Sequence, residues 1–151
     1  MFIPPLGGSL SKRMFNSCLF CKSIKGEVPS KNLLETDHSY TFLDILPISK
    51  GHSLVVPKYH GEKLHDIPDE YLADMMPVLV AKMIAIATGA TDYNILQNNG
   101  EIAHQHVFHV HFHVIPKPSA SDAEGFSIDW PAKQADQAEL QKLLDEMKNN
   151  L

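Results

Sequence analysis

An α+β fold is predicted for this chain of 151 residues: one domain with an antiparallel sheet of about five strands, a long central helix and a C-terminal helix. Three features predict it. Five short apolar segments, bounded by turn residues, have the length and composition of strands. Residues 69–88 place Leu72, Met75, Met76, Leu79, Met83, Ile86 and Ala87 at helical spacing, and residues 132–149 put Leu140, Leu143, Leu144 and Met147 on one stripe. Length and a hydrophobic content of 44% suit a single domain with a core of its own.

Taken in order, residues 1–16 carry two prolines, two glycines and no acid, and read as a flexible tail ahead of a domain over 17–151. Cys18-Leu19-Phe20-Cys21 opens a short helical segment that stops near Gly26. Residues 32–36 and 40–45 are strands around the polar turn Asp37-His38-Ser39, and residues 52–57 are a third, ended by Pro57. Asp69 and Glu70 suit the start of the central helix, Pro77 should kink it, and Gly89 stops it. Its methionines read as core filling. Residues 93–98 are the fourth strand. A loop over 99–105 joins it to the fifth as an antiparallel hairpin. Isolated histidines such as His38 and His65 read as solvated surface.

The fifth strand carries the chemistry. Histidine recurs at 109, 111 and 113, with Val110, Phe112 and Val114 between and after. Side chains two apart diverge on a helix but share a face on a strand. The pattern is therefore a strand with an apolar face and an imidazole face. A surface strand that happens to carry histidines, a metal site and a nucleophilic site all compete for it. His109 and His113 are roughly 13 Å apart along a strand, too far for one ion to bind all three. A histidine nucleophile flanked by histidines that hold a phosphoryl group accounts for the whole run.

The formal charge of -5 argues against nucleic-acid or anionic-membrane surfaces as partners, though small anions need only a local positive site. No apolar run approaches the ~20 residues of a membrane span. Two cysteines three positions apart fit a reducing compartment, and the expected location is cytoplasmic, with the nucleus as a second site. The redox reading of Cys18-x-x-Cys21 wants a preceding strand, which is missing. The metal reading needs two more ligands, and buried spectator thiols remain the alternative. Asp44, near the end of a largely apolar strand, reads either as a turn carboxylate or as an acceptor for ribose hydroxyls.

These motifs together resemble the histidine-triad (HIT) hydrolases and transferases. The resemblance rests on His109-Val110-His111-Phe112-His113 followed by two apolar residues, and on Cys18-Leu19-Phe20-Cys21-Lys22, Phe42-Leu43-Asp44-Ile45, Gly51-His52-Ser53-Leu54-Val55-Val56-Pro57-Lys58, Asn98-Asn99-Gly100 and Trp130-Pro131, in that family's order. It spans about residues 18–131 and is nearest to the nucleotide-binding (HINT) branch. It implies the HIT-like fold and His111 as nucleophile, passing through a nucleotidyl-histidine, with His113 stabilising charge and His52 supporting from the neighbouring strand. It implies a nucleoside pocket from Phe20, Val28, Phe42, Leu43, Asp44 and Ile45. Asn98, Gln105 and the loop amides are further candidates for phosphate contacts, and His106, counted with the nucleotide-binding residues, could protonate a departing amine. A structural zinc on Cys18, Cys21, His60 and His109 is implied, as is a homodimer with residues near Trp130 reaching the partner's site. The expected activity is hydrolysis of the P–N bond of adenosine 5'-monophosphoramidates, including AMP-lysine. The alternatives are a dinucleoside polyphosphate hydrolase or a nucleotide-binding regulatory partner.

One departure stands out. His104-Gln105-His106 occupies the place where this branch usually has a small or acidic residue, often serine, after the glutamine. His106 would reach the imidazole face if the chain bends near Val107.

Overall fold

The computed structural model describes residues 17–75, 88–121 and 123–150. The expected tail over 1–16 and the middle of the 69–88 helix, with its Pro77 kink and most of its methionines, lie outside them. Among the described residues five strands form one sheet: β1 (Asn32–Glu35), β2 (Ser39–Leu43), β3 (Ser53–Pro57), β4 (Asp92–Gln97) and β5 (Phe112–Lys117). They run in the order β1-β2-β3-β5-β4 with every pairing antiparallel. Helix α1 is Leu19–Ile24, α2 Asp69–Asp74 and α3 Gln137–Asn149.

β3 lies near the middle of the sheet, and all five of its residues are buried. Its alternation splits the core in two. Leu54 and Val56 join Phe20 of α1 with Tyr40 and Phe42 of β2 on one face. Val55 joins Ile67, Met75, Val110 and Val114 on the other. The register pairs Leu54 with His113 on one side and Leu96 with His113 on the other, so these three side chains share the α1 face.

Several boundaries differ from expectation. β2 ends at Leu43, short of the expected 45, and α2 ends at Asp74, where Met75 caps it. The paired fifth strand begins at Phe112, so only His113 of the triad is in the ladder, and His109 and His111 lie in the approach to it. That approach is held instead by the segment following β3: the Val110 N–H donates to the Gly61 carbonyl at 2.8 Å. Room for this is tight, since a Cβ on Gly61 would lie 2.5 Å from Ile67 Cδ1. The C-terminal helix starts at Gln137, because Asp136 caps it by accepting the Ala138 and Glu139 N–H groups. Its apolar stripe is not core: Leu140, Leu143, Leu144 and Met147 are all exposed.

Candidate active site and metal cluster

His111 is buried, and its Nδ1 lies 2.6 Å from the carbonyl oxygen of His109. A carbonyl only accepts, so Nδ1 carries the proton and Nε2 keeps its lone pair. Burial holds the His111 pKa below its ordinary value; the bond to His109 and the charge of Asp44 partly oppose this. A neutral imidazole with one nitrogen held and the other free is the form a nucleophile needs. Phe20 packs edge-on against this ring, with centroids 5.1 Å apart.

His113 belongs to a second chain of bonds. The Ile48 N–H donates to His52 Nδ1 at 3.3 Å, so the proton of neutral His52 sits on Nε2. That Nε2 is 2.9 Å from His113 Nδ1 and 3.5 Å from Asp44 Oδ2. His113 Nδ1 is therefore the acceptor, and its own proton is on Nε2. Burial, reinforced by His111 and His52, pushes the His113 pKa down to about 4, with Asp44 opposing. Asp44, His52 and His113 are close enough together to resemble a cation site. This proton order leaves His52 without a lone pair for a metal, so the trio works as a hydrogen-bond relay.

His109 is the hinge between the two halves of the site. Its ring is fully buried, and Nε2 lies 2.8 Å from the Pro57 carbonyl, which leaves Nδ1 unprotonated. Around that Nδ1 stand Cys18 Sγ at 3.4 Å, Cys21 Sγ at 3.5 Å and His60 Nδ1 at 3.2 Å, while Cys21 Sγ lies 3.4 Å from His60 Nδ1. Tetrahedral zinc with bonds of ~2.0 Å to nitrogen and ~2.3 Å to sulfur needs donor separations of roughly 3.3 and 3.5 Å. The donor set fits zinc in kind and in spacing. Without a cation the cluster is electrostatically awkward: burial and the neighbouring Cys18 push the Cys21 thiol up to about 12, and burial pushes His109 down to about 4.

A cleft of about 300 Å³ opens beside His111 and His113. Phe20, Val28, Phe42, Asp44, Ile45 and His106 line it. Leu43 does not: alternation along β2 turns Phe42 inward and Leu43 out. Ile45 returns to the cleft because the chain turns after β2, where Asp44 Oδ1 accepts the Leu46 N–H at 2.9 Å. His106 reaches the cleft through the bend at Val107, whose carbonyl accepts the His109 N–H at 2.9 Å.

Gln105, expected as a phosphate contact, spends its side chain inside the loop. It is buried, its Oε1 accepts the Gly100 N–H at 2.6 Å, and its Nε2 donates to the Glu62 carbonyl at 2.6 Å. It braces the loop that precedes the histidines. Asn98 lines a neighbouring cleft, along with His52 and His113. Ser23, Pro29, Ser30, Leu46 and His104 also line the two clefts. Only His104 carried any sequence signal, as a departure from the usual pattern.

The HIT domain family model matches residues 25–120. The chain is 55% identical over 131 residues to adenosine 5'-monophosphoramidase HNT1 of Saccharomyces cerevisiae, covering 87% of this chain and 80% of that protein. Its structure superposes on a crystal structure of a histidine triad nucleotide-binding protein from Candida albicans with TM-score 0.81 at 50% identity, covering 89% and 96% of the two chains. A zinc-bound histidine triad protein from Mycobacterium smegmatis matches with TM-score 0.64 at 32% identity, over 91% and 99%.

Proposed function

This chain belongs to the HIT domain family, and we infer that it is a hydrolase that cleaves the P–N bond of adenosine 5'-monophosphoramidates. The observation that carries the chemistry is the locked His111 ring, with Nδ1–H held by the His109 carbonyl and Nε2 free at the cleft. Nε2 attacks the α-phosphorus and the P–N bond breaks. The departing amine takes up a proton from His106 in the cleft wall, and AMP is left on His111 until water, which returns a proton to His106, releases it. The Nε2–H of His113 donates to the phosphoryl oxygens, where charge grows in the transition state. Phe20 and Phe42 flank the base, and Asp44 receives the ribose hydroxyls.

The linings favour an amine over a polyphosphate as leaving group. Among the described residues no lysine or arginine lines either cleft, so a second nucleotide with several phosphates would find no cation from them. Assaying the purified protein against an AMP amide and a diadenosine polyphosphate tests this directly. Faster cleavage of the polyphosphate overturns it.

Three further elements belong to the same proposal. Cys18, Cys21, His60 and His109 hold a structural zinc, which ties α1 and the segment after β3 to the approach to β5. The protein is a homodimer; the exposed Tyr93 and Ile95 on edge strand β4 and the exposed stripe of α3 support this. Light scattering at micromolar concentration should give twice the chain mass. A reducing compartment, the cytoplasm and also the nucleus, suits thiols that must stay free to bind metal.

A further inference from the structure

A third cleft, of about 250 Å³, opens on the cysteine–histidine cluster. Cys18 and His60 form part of its wall, beside Phe108, while Cys21 and His109 lie behind them. Cys18 is half-buried, Cys21 is 2% exposed and His109 is fully buried. A small solute in this cleft therefore meets one sulfur of the pair first.

The two sulfurs are also set for each other. Cys18 is the extended residue that opens α1, with φ -69° and ψ 123°, and Cys21 is the third residue of the first turn. Side chains three apart across a helix start are brought together, as in a capping box. The two sulfurs lie within 4.8 Å of one another. A disulfide of ~2.05 Å asks them to close by less than about 3 Å. The chain has two cysteines, so no other thiol of its own competes.

We propose that Cys18 and Cys21 are a modification site oxidised by peroxides, closing to a disulfide that releases the metal and loosens the nucleoside cleft. Held by a metal, both sulfurs are thiolates. The Cys18 thiolate attacks a peroxide oxygen. The O–O bond breaks, a sulfenic acid forms and hydroxide leaves. The Cys21 thiolate then attacks the Cys18 sulfur, forming the S–S bond and expelling a second hydroxide. Two electrons pass from the sulfurs to the peroxide, and each hydroxide takes a proton from solvent. The disulfide leaves a cation only the imidazoles of His60 and His109, too few for a closed tetrahedral site.

Phe20 carries the change to the nucleotide. It lies between the two cysteines in α1 and lines the nucleoside cleft. Its ring centroid is 5.1 Å from that of His111, 5.9 Å from that of His109 and 5.6 Å from that of Phe42. A bridge from 18 to 21 tightens the turn that holds this ring.

The test treats zinc-loaded, full-length protein with hydrogen peroxide. The polypeptide mass should fall by two hydrogens, and a metallochromic dye should capture zinc in step with the loss of both thiols. AMP affinity should fall by about fivefold or more, and dithiothreitol with zinc should restore it. In Cys21→Ser a dione that traps sulfenic acids should label Cys18, whereas in Cys18→Ser it should leave Cys21 unlabelled. The wild-type mass, thiol and zinc readouts decide the case without either variant. Thiols that stay free with zinc in place, label on Cys21, or a disulfide joining two chains overturns the site. An 18–21 disulfide with unchanged AMP affinity overturns the coupling to the nucleoside cleft. The same disulfide in protein that never carried zinc supports the site and refutes the metal alone. The inference rests on the cluster, and none of these readouts depends on turnover of an AMP amide.

Discussion

His52 Nε2 lies 2.9 Å from His113 Nδ1, and the Ile48 N–H on the other nitrogen of His52 orders the pair in one direction. The proton that faces substrate is thus chosen three groups back, at a backbone amide. His113 also sits far below its ordinary titration range, at about 4. Its ring resonances should stay unshifted as pH falls through 6 and move only near 4; a midpoint near ~6.5 overturns the relay. The unfolded chain binds the proton at higher pH than the fold does. The contribution of His113 to stability is therefore complete above ~6.5 and lost as pH falls from there through 4. Urea midpoints across that window should decline, and less steeply in His113→Asn.

His111→Ala should abolish turnover while AMP still binds. Loss of a covalent nucleophile costs about four orders of magnitude or more. A variant within tenfold of wild type would remove His111 from the role.

Protein purified without chelator should carry close to one zinc per chain. Cys21→Ser should lower Tm by roughly 10 °C, equivalent to about 3 kcal/mol in a domain of this size. Stripping the metal from wild type should lower Tm by a similar amount and leave the variant unchanged. Well under half an equivalent of zinc in the native protein counts against the cluster.

A histidine at 106 should add a proton donor that a serine cannot supply in the same form. For an amide with a poor amine leaving group, the wild-type pH–rate profile should carry a limb that disappears in His106→Ser. Superimposed profiles would make His106 a bystander in the cleft wall.

The legible part of this site was the part written in local periodicity. Alternation at 109, 111 and 113 announced an imidazole face, and Cys18-x-x-Cys21 announced paired donors. The sheet was readable for the same reason, since each strand carries its own apolar run. Gln105 shows where that legibility ends: a glutamine beside a phosphate loop has the same composition whether it points in or out, and only its bonds to Gly100 and Glu62 turn this side chain into the loop. One step of alternation turns the Leu43 side chain away from the cleft. Phe126 was invisible: it reaches the neighbouring cleft, beside Asn98, through a docked loop 78 positions away from Ile48, and nothing in its neighbours encodes that contact.

His109 presents its ring to the thiols and its carbonyl to the nucleophile. Side-chain substitution therefore dissects the residue unevenly. His109→Ala would remove a ring from the cluster it forms with Cys18, Cys21 and His60 but leave the acceptor that holds His111, because every residue has a carbonyl. An alanine scan would record His109 as a member of that cluster and miss its other task. Exposing that task takes an edit to the main chain, such as an ester in place of the amide that follows His109, which weakens the carbonyl as an acceptor. The ester also removes the Val110 N–H that donates to Gly61, so it must be compared with a variant that loosens the Gly61 contact alone.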